Sequence, residues 1–90
     1  MEVAFSEQFR KAYQKRIKGN SISEKAFKNS LAIFINDPFD ARLKTHKLSG
    51  KLKELWSFSV TYSQRIVFYF SADKPAKAVF VEIGSHDEVY

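Results

Sequence analysis

Trp56-Ser57-Phe58-Ser59-Val60-Thr61-Tyr62-Ser63 alternates large apolar and small hydroxyl side chains. Successive side chains of a strand point to opposite faces of its sheet, so this run predicts a strand with one buried face. Trp56, Phe58, Val60 and Tyr62 are expected to face the core, with Ser57, Ser59, Thr61 and Ser63 facing away. Residues 64–71 continue the period, with Ile66, Phe68 and Phe70 alternating against Arg65, Val67 and Tyr69. After the turn Ala72-Asp73-Lys74-Pro75-Ala76, a third run spans 77–84. Three strands joined by short turns predict an antiparallel meander.

Upstream the period changes. Ser6 is a good helix N-cap, and Phe9, Ala12, Tyr13, Arg16 and Ile17 recur at helical spacing. Gly19-Asn20 closes that helix, as C-cap residues do. Ser21 and Glu24 stand three apart as a capping box, which opens a second helix. Phe27, Leu31, Phe34 and Ile35 are expected on its buried face. Asn36-Asp37-Pro38 stops it, because proline disfavours helix at the preceding residue. The tight Gly-Asn link predicts an antiparallel helical hairpin. Glu2–Phe5 reads as an edge or first strand, and 39–54 as a basic connector with room for a short strand. The predicted fold is α+β, in the order β-α-α-β-β-β. Two helices cover one face of an antiparallel sheet, and residues 1–90 form a single domain. The other face is expected to be polar and partly cationic, carrying Ser57, Ser59, Thr61, Arg65 and Tyr69.

Composition narrows the function classes. The chain has no cysteine, which excludes disulfides, thiol catalysis and thiolate metal sites. No His/Asp/Glu group has metal-ligand spacing, no glycine-rich phosphate loop occurs, and no cofactor is expected. Neither a signal peptide nor a membrane span is legible, so a cytoplasmic protein with no membrane partner is expected. Fifteen Lys+Arg stand against ten Asp+Glu, a formal charge of +5, which favours polyanionic partners. From 41 to 53 there is no acid, and Arg42, Lys44, Lys47, Lys51 and Lys53 flank His46. A second basic block, Arg10, Lys11, Lys15, Arg16 and Lys18, lies on the first helix. The final residues, Ser85-His86-Asp87-Glu88-Val89-Tyr90, place a histidine just past the last strand and a phenol four residues later. Histidine is the side chain that titrates near neutrality. Beside so much positive charge, it points to acid–base chemistry on a nucleic acid.

These segments, in this order and spacing, resemble the RelE/ParE superfamily of bacterial type II toxins over nearly the whole chain. The resemblance is carried by Asn36-Asp37-Pro38-Phe39, Leu43-Lys44-Thr45-His46-Lys47-Leu48-Ser49-Gly50, Leu55-Trp56-Ser57, Gln64-Arg65-Ile66-Val67-Phe68-Tyr69 and Ile83-Gly84-Ser85-His86. The nearest branch is the RelE/YafQ-like ribosome-dependent mRNA endonucleases.

The resemblance implies metal-independent RNA cleavage by 2′-hydroxyl attack, acting on message in the ribosomal A site. By similarity, His86 is the main acid/base residue and Arg65 clamps the scissile phosphate. His46 is a second proton carrier, and Tyr90 stacks on a base or positions His86. Lys44, Lys47, Lys51 and Lys53 would hold RNA phosphates. A cognate antitoxin, forming a heteromeric complex with the toxin, is the implied partner. One departure stands out: Ser59 and Ser63 occupy places where the YafQ-like pattern has a histidine and an aspartate. Serine is neither a good acid nor a good base near pH 7. Two alternatives therefore stay open, a ParE-type inhibitor of DNA gyrase with no enzymatic activity and a catalytically weakened RNA-binding relative.

Overall fold

The alternating runs do form paired strands, and a computed structural model describes residues 1–50 and 54–85. The elements are β1 (Glu2–Phe5), α1 (Glu7–Arg16), α2 (Ser21–Asn36), a 3-10 turn (Ala41–Leu43), β2 (His46–Lys47), β3 (Trp56–Ser59), β4 (Gln64–Phe70) and β5 (Lys77–Ser85). The sheet order is β1-β5-β4-β3-β2. Strands β2 to β5 pair antiparallel, giving the expected meander with a two-residue strand added at its edge. β1 joins the other edge parallel to β5, with Glu2 opposite Lys77 and Phe5 opposite Phe80. The sheet is therefore mixed. The helical hairpin between β1 and the meander is the long connection that a non-hairpin pairing requires.

Both helices begin on side-chain caps. Ser6 accepts from the Phe9 amide, as expected. At α2 the cap is Asn20 rather than Ser21: its side-chain carbonyl accepts from the Ser23 amide at 2.9 Å. Glu24 reaches back to the Gly19 amide at 3.3 Å. Gly19 sits at φ +88°, a left-handed conformation that lets the chain turn between the helices. The capping box is thus moved one residue upstream, because Asn20 is in the extended conformation that a cap needs.

The helices press one apolar layer onto the sheet. Phe9, Ile17, Phe27 and Phe34 meet Phe58, Ile66, Phe68, Ala78, Phe80 and Ile83. Phe34 is the hub: its ring lies 4.8 Å from Phe58, and edge-on to Phe68 at 5.0 Å and Phe80 at 5.2 Å. Edge-to-face pairs at such distances gain attraction beyond simple burial. On α2 the inward positions are Phe27, Ser30 and Phe34. Ile35, expected inside, is exposed, because it follows Phe34 by one residue and so lies about 100° round the helix.

A bulge sets the β4–β5 register. Val67 opposes Glu82, yet Phe68 opposes Phe80, so Val81 is the extra residue. Phe80 and Ile83 are three apart and would fall on opposite faces of a regular strand. With the bulge both are buried, at 0% and 1% exposure.

The face without helices is less polar than the alternation predicts. Leu48 and Val67 are buried there, with Leu55 and Val81 packed against them. The Leu48 amide donates to the Leu55 carbonyl at 2.8 Å, so both ends of the 48–55 connector lie against the sheet. Ser57, expected at a polar surface, is fully buried.

Candidate active site

The helix-free face takes its shape from cross-strand rows. His46 stands opposite Ser57, and Ser57 opposite Val67. The next row on the same face is Ser59, Arg65 and Gly84. His46 and Arg65 therefore share a face, two strands and one row apart. With strands about 4.8 Å apart and a rise of about 3.4 Å per residue, their Cα atoms lie about 12 Å from each other.

Arg65 is held in place. Its guanidinium donates to the Thr61 carbonyl at 2.9 Å. Thr61 lies in the β3–β4 turn, which is itself well bonded. The Val60 amide donates to the Gln64 carbonyl at 2.9 Å, and the Gln64 amide donates to the Thr61 hydroxyl at 3.1 Å. Ser30 of α2 reaches the Val60 carbonyl at 3.5 Å and ties the turn to the helical layer. Gly84, the β5 neighbour of Arg65, has no side chain to crowd the guanidinium.

His46 is set by the turn before it. Lys44 adopts φ 53° and closes the 3-10 turn. The His46 ring Nδ1 lies 2.9 Å from the Lys44 carbonyl. A carbonyl oxygen only accepts. In a neutral ring this contact suits the tautomer with its proton on Nδ1.

Among the described residues, the basic connector does not form one surface. Arg42 pairs with Asp40 through two bonds of 3.0 and 2.9 Å. Those bonds hold the Asp40 carboxyl at about 2, well below the usual carboxylate range, so much of Arg42's charge is locally neutralised. Lys47 neighbours His46 on a strand and so turns to the other face, where its amine lies 5.9 Å from the centre of the Trp56 ring. Lys44 is exposed at the end of the 3-10 turn, two residues before β2. Near the Arg65 row, Glu82 accepts from Gln8 of α1 at 2.8 Å and from the Ile83 amide at 2.9 Å.

Of the residues expected at the site, His46, Arg65, Lys44 and Lys47 fall within the described structure; His46 and Arg65 share a face, and Lys47 lies on the other. Lys51, Lys53, His86 and Tyr90 lie outside the described residues. The last described residue, Ser85, pairs with Gln64, next to the Arg65 row. Ser59 stands directly opposite Arg65, and Ser63 is exposed in the turn. No group of three or more His, Cys, Asp or Glu side chains that could hold a metal occurs among the described residues. No described helix is long and apolar enough to cross a membrane. Sequence reading missed the Thr61 tether. Its signal is the polar quartet Thr61-Tyr62-Ser63-Gln64 between two apolar runs, where a hairpin must turn.

No protein-family profile and no curated protein matches this chain. Solved structures do. A YoeB/ParE toxin from Agrobacterium tumefaciens superposes with a TM-score of 0.77 at 16% identity, over 96% of this chain and 99% of that one. YafQ from E. coli gives 0.71 at 21% identity, over 99% and 97%. The toxin–antitoxin complex RelBE2 from Mycobacterium tuberculosis gives 0.72 at 15% identity, over 94% and 96%. From its first strand to its last, the chain therefore carries the fold of the RelE/ParE-type toxins.

Proposed function

We propose that this chain is the toxin of a type II toxin–antitoxin pair and acts as a ribosome-dependent mRNA endoribonuclease. The observation that carries the reading is the placement of an oriented histidine and a tethered arginine on the one sheet face that no helix covers. The fold shared with YafQ and the YoeB/ParE toxin supports it.

The reaction needs no cofactor. The 2′-oxygen attacks the adjacent phosphorus and loses its proton to a base. The bond from phosphorus to the 5′-oxygen breaks, and an acid protonates that oxygen. The products are a 2′,3′-cyclic phosphate and a free 5′-hydroxyl. Arg65 faces the charge that builds on the non-bridging oxygens, where a planar guanidinium is well suited. His46 accepts the 2′-hydroxyl proton at Nε2. His86, the residue after Ser85, is assigned the complementary acid role, and Tyr90 is assigned to orient it or to stack on a base. Lys44, Lys51 and Lys53 supply phosphate contacts that make binding salt-dependent.

The proposed partner is an antitoxin with an acidic amphipathic segment. α1 and α2 flank an open apolar groove of about 560 Å³, walled by Phe9, Tyr13 and Phe27 and bordered by three cations, Arg10, Lys18 and Lys28, and one acid, Glu24. An acidic helix with one apolar face complements it in both respects. An antitoxin that binds elsewhere leaves its affinity unchanged in a Lys18→Glu, Lys28→Glu variant.

The serines at 59 and 63 favour a second reading, a gyrase-binding toxin of the same fold, which requires no titrating group on this face. Mapping message cleavage in a reconstituted translation system, with and without ribosomes, separates the two. Cuts that require ribosomes and vanish in His86→Ala support the nuclease. A folded chain that makes no cuts but blocks DNA supercoiling overturns it.

A further inference from the structure

We infer that Tyr62 is a stacking platform for the nucleobase adjoining the phosphate that Arg65 holds. The inference rests on the ribonuclease reading above and adds a base-contacting residue to that site. Tyr62 is 93% exposed at the tip of the β3–β4 turn, the most exposed large apolar side chain among the described residues. It makes no ring contact among the described residues, so packing does not account for it. Its place relative to Arg65 does. The Thr61 carbonyl that receives the guanidinium belongs to the peptide linking Thr61 to Tyr62. Standard backbone dimensions put the Tyr62 Cα within about 6 Å of that guanidinium nitrogen. An aromatic ring on so short a tether lies within reach of the nucleotide whose phosphate Arg65 contacts.

The turn also has the stiffness a platform needs. Backbone bonds from Val60 and Gln64, together with the Thr61 hydroxyl, hold both sides of the tip. A ring on a bonded turn loses little freedom on stacking, and every nucleobase offers it a flat face. Unpaired bases are commonly held this way, on aromatic side chains beside a cationic backbone track. Tyr62 therefore contributes affinity with little base preference, whereas Arg65 contributes charge.

The test is the affinity of ribosomes programmed with an uncleavable 2′-O-methyl message for the full chain and for Tyr62→Ala, Tyr62→Phe and Arg65→Ala, each titrated at several salt concentrations. Thermal midpoints check that every variant is folded. Stacking predicts that Tyr62→Ala weakens binding about tenfold at every salt concentration, with an unchanged salt slope, and that Tyr62→Phe binds like the parent. Arg65→Ala is predicted to lower the salt slope by about one. Equal affinity of Tyr62→Ala and the parent overturns the platform while leaving the nuclease reading intact. A Tyr62→Phe variant as weak as Tyr62→Ala overturns it too, because the hydroxyl rather than the ring would then act. A parent chain that neither binds programmed ribosomes nor cuts message removes the ribonuclease reading and the platform together.

Discussion

The two faces of the sheet are built to different ends. Beneath the helices, Phe9, Phe34, Phe58, Phe68 and Phe80 interlock, each no more than 2% exposed. On the opposite face, a small cluster around Leu48 and Val67 covers one part and leaves His46, Ser59 and Arg65 in view. One face holds apolar area and gives stability. The other holds polar groups with backbone contacts, to Lys44 for His46 and to Thr61 for Arg65. The contrast separates the residues that hold the fold from those the proposed chemistry would use, and substitutions should sort accordingly.

The largest expected effect lies under the helices. Phe34→Ala removes the hub of the ring cluster and should cost about 4 kcal/mol of stability, read by urea unfolding. That is a large share of what a small domain has, so a loss below about 1 kcal/mol would break the contrast. Next comes the opposite face. Arg65→Ala should lower cleavage by about a hundredfold or more, while shifting the thermal midpoint little. A variant that unfolds instead would make Arg65 part of the fold. Leu48→Ala tests the small cluster between these extremes. It should cost about 2 kcal/mol, because the satellite core is thin, and loosen the connector that carries the basic residues. At the helix start, Asn20→Ala should cost about 1 kcal/mol and Ser21→Ala a few tenths at most, measured side by side.

The smallest effect concerns acid. Asp40 has its folded pKa lowered to about 2 by the hydrogen bonds from Arg42. A depressed carboxylate pKa adds stability that is present above the unfolded value of about 3.9 and is lost as pH falls through the folded value. Unfolding followed from pH 5 to pH 2 should therefore show a shallow loss that Asp40→Asn abolishes. A variant with the same pH dependence as the parent would assign the acid sensitivity to other carboxylates.

Much of the apolar face was legible from residues 56–59 and 64–70, because a buried row at period two leaves a plain trace. The trace failed at its end. Val60, Thr61 and Tyr62 continue the alternation in sequence but belong to a turn, and turn chemistry overrides the period there. The bulge at Val81 is equally silent, since one extra residue changes pairing without changing composition. Ser57 misled for another reason: alternation says which face a residue takes, not how deeply that position is buried. Of the candidate site, the structure places His46 and Arg65 on one face, while Lys51, Lys53, His86 and Tyr90 lie outside the described residues. The contacts that orient those two, to the Lys44 and Thr61 carbonyls, are made with backbone, which every residue possesses; the sequence marks at most the turn that presents such a carbonyl, as the polar quartet 61–64 does.

The central claim is that the helix-free face cuts RNA. The most direct test compares message cleavage on ribosomes by the unmodified chain and by Arg65→Ala, with equal thermal midpoints verified first. The account predicts ribosome-dependent cuts by the unmodified chain and their loss in the variant. Equal cleavage by both proteins, or none by a folded unmodified chain, would contradict it.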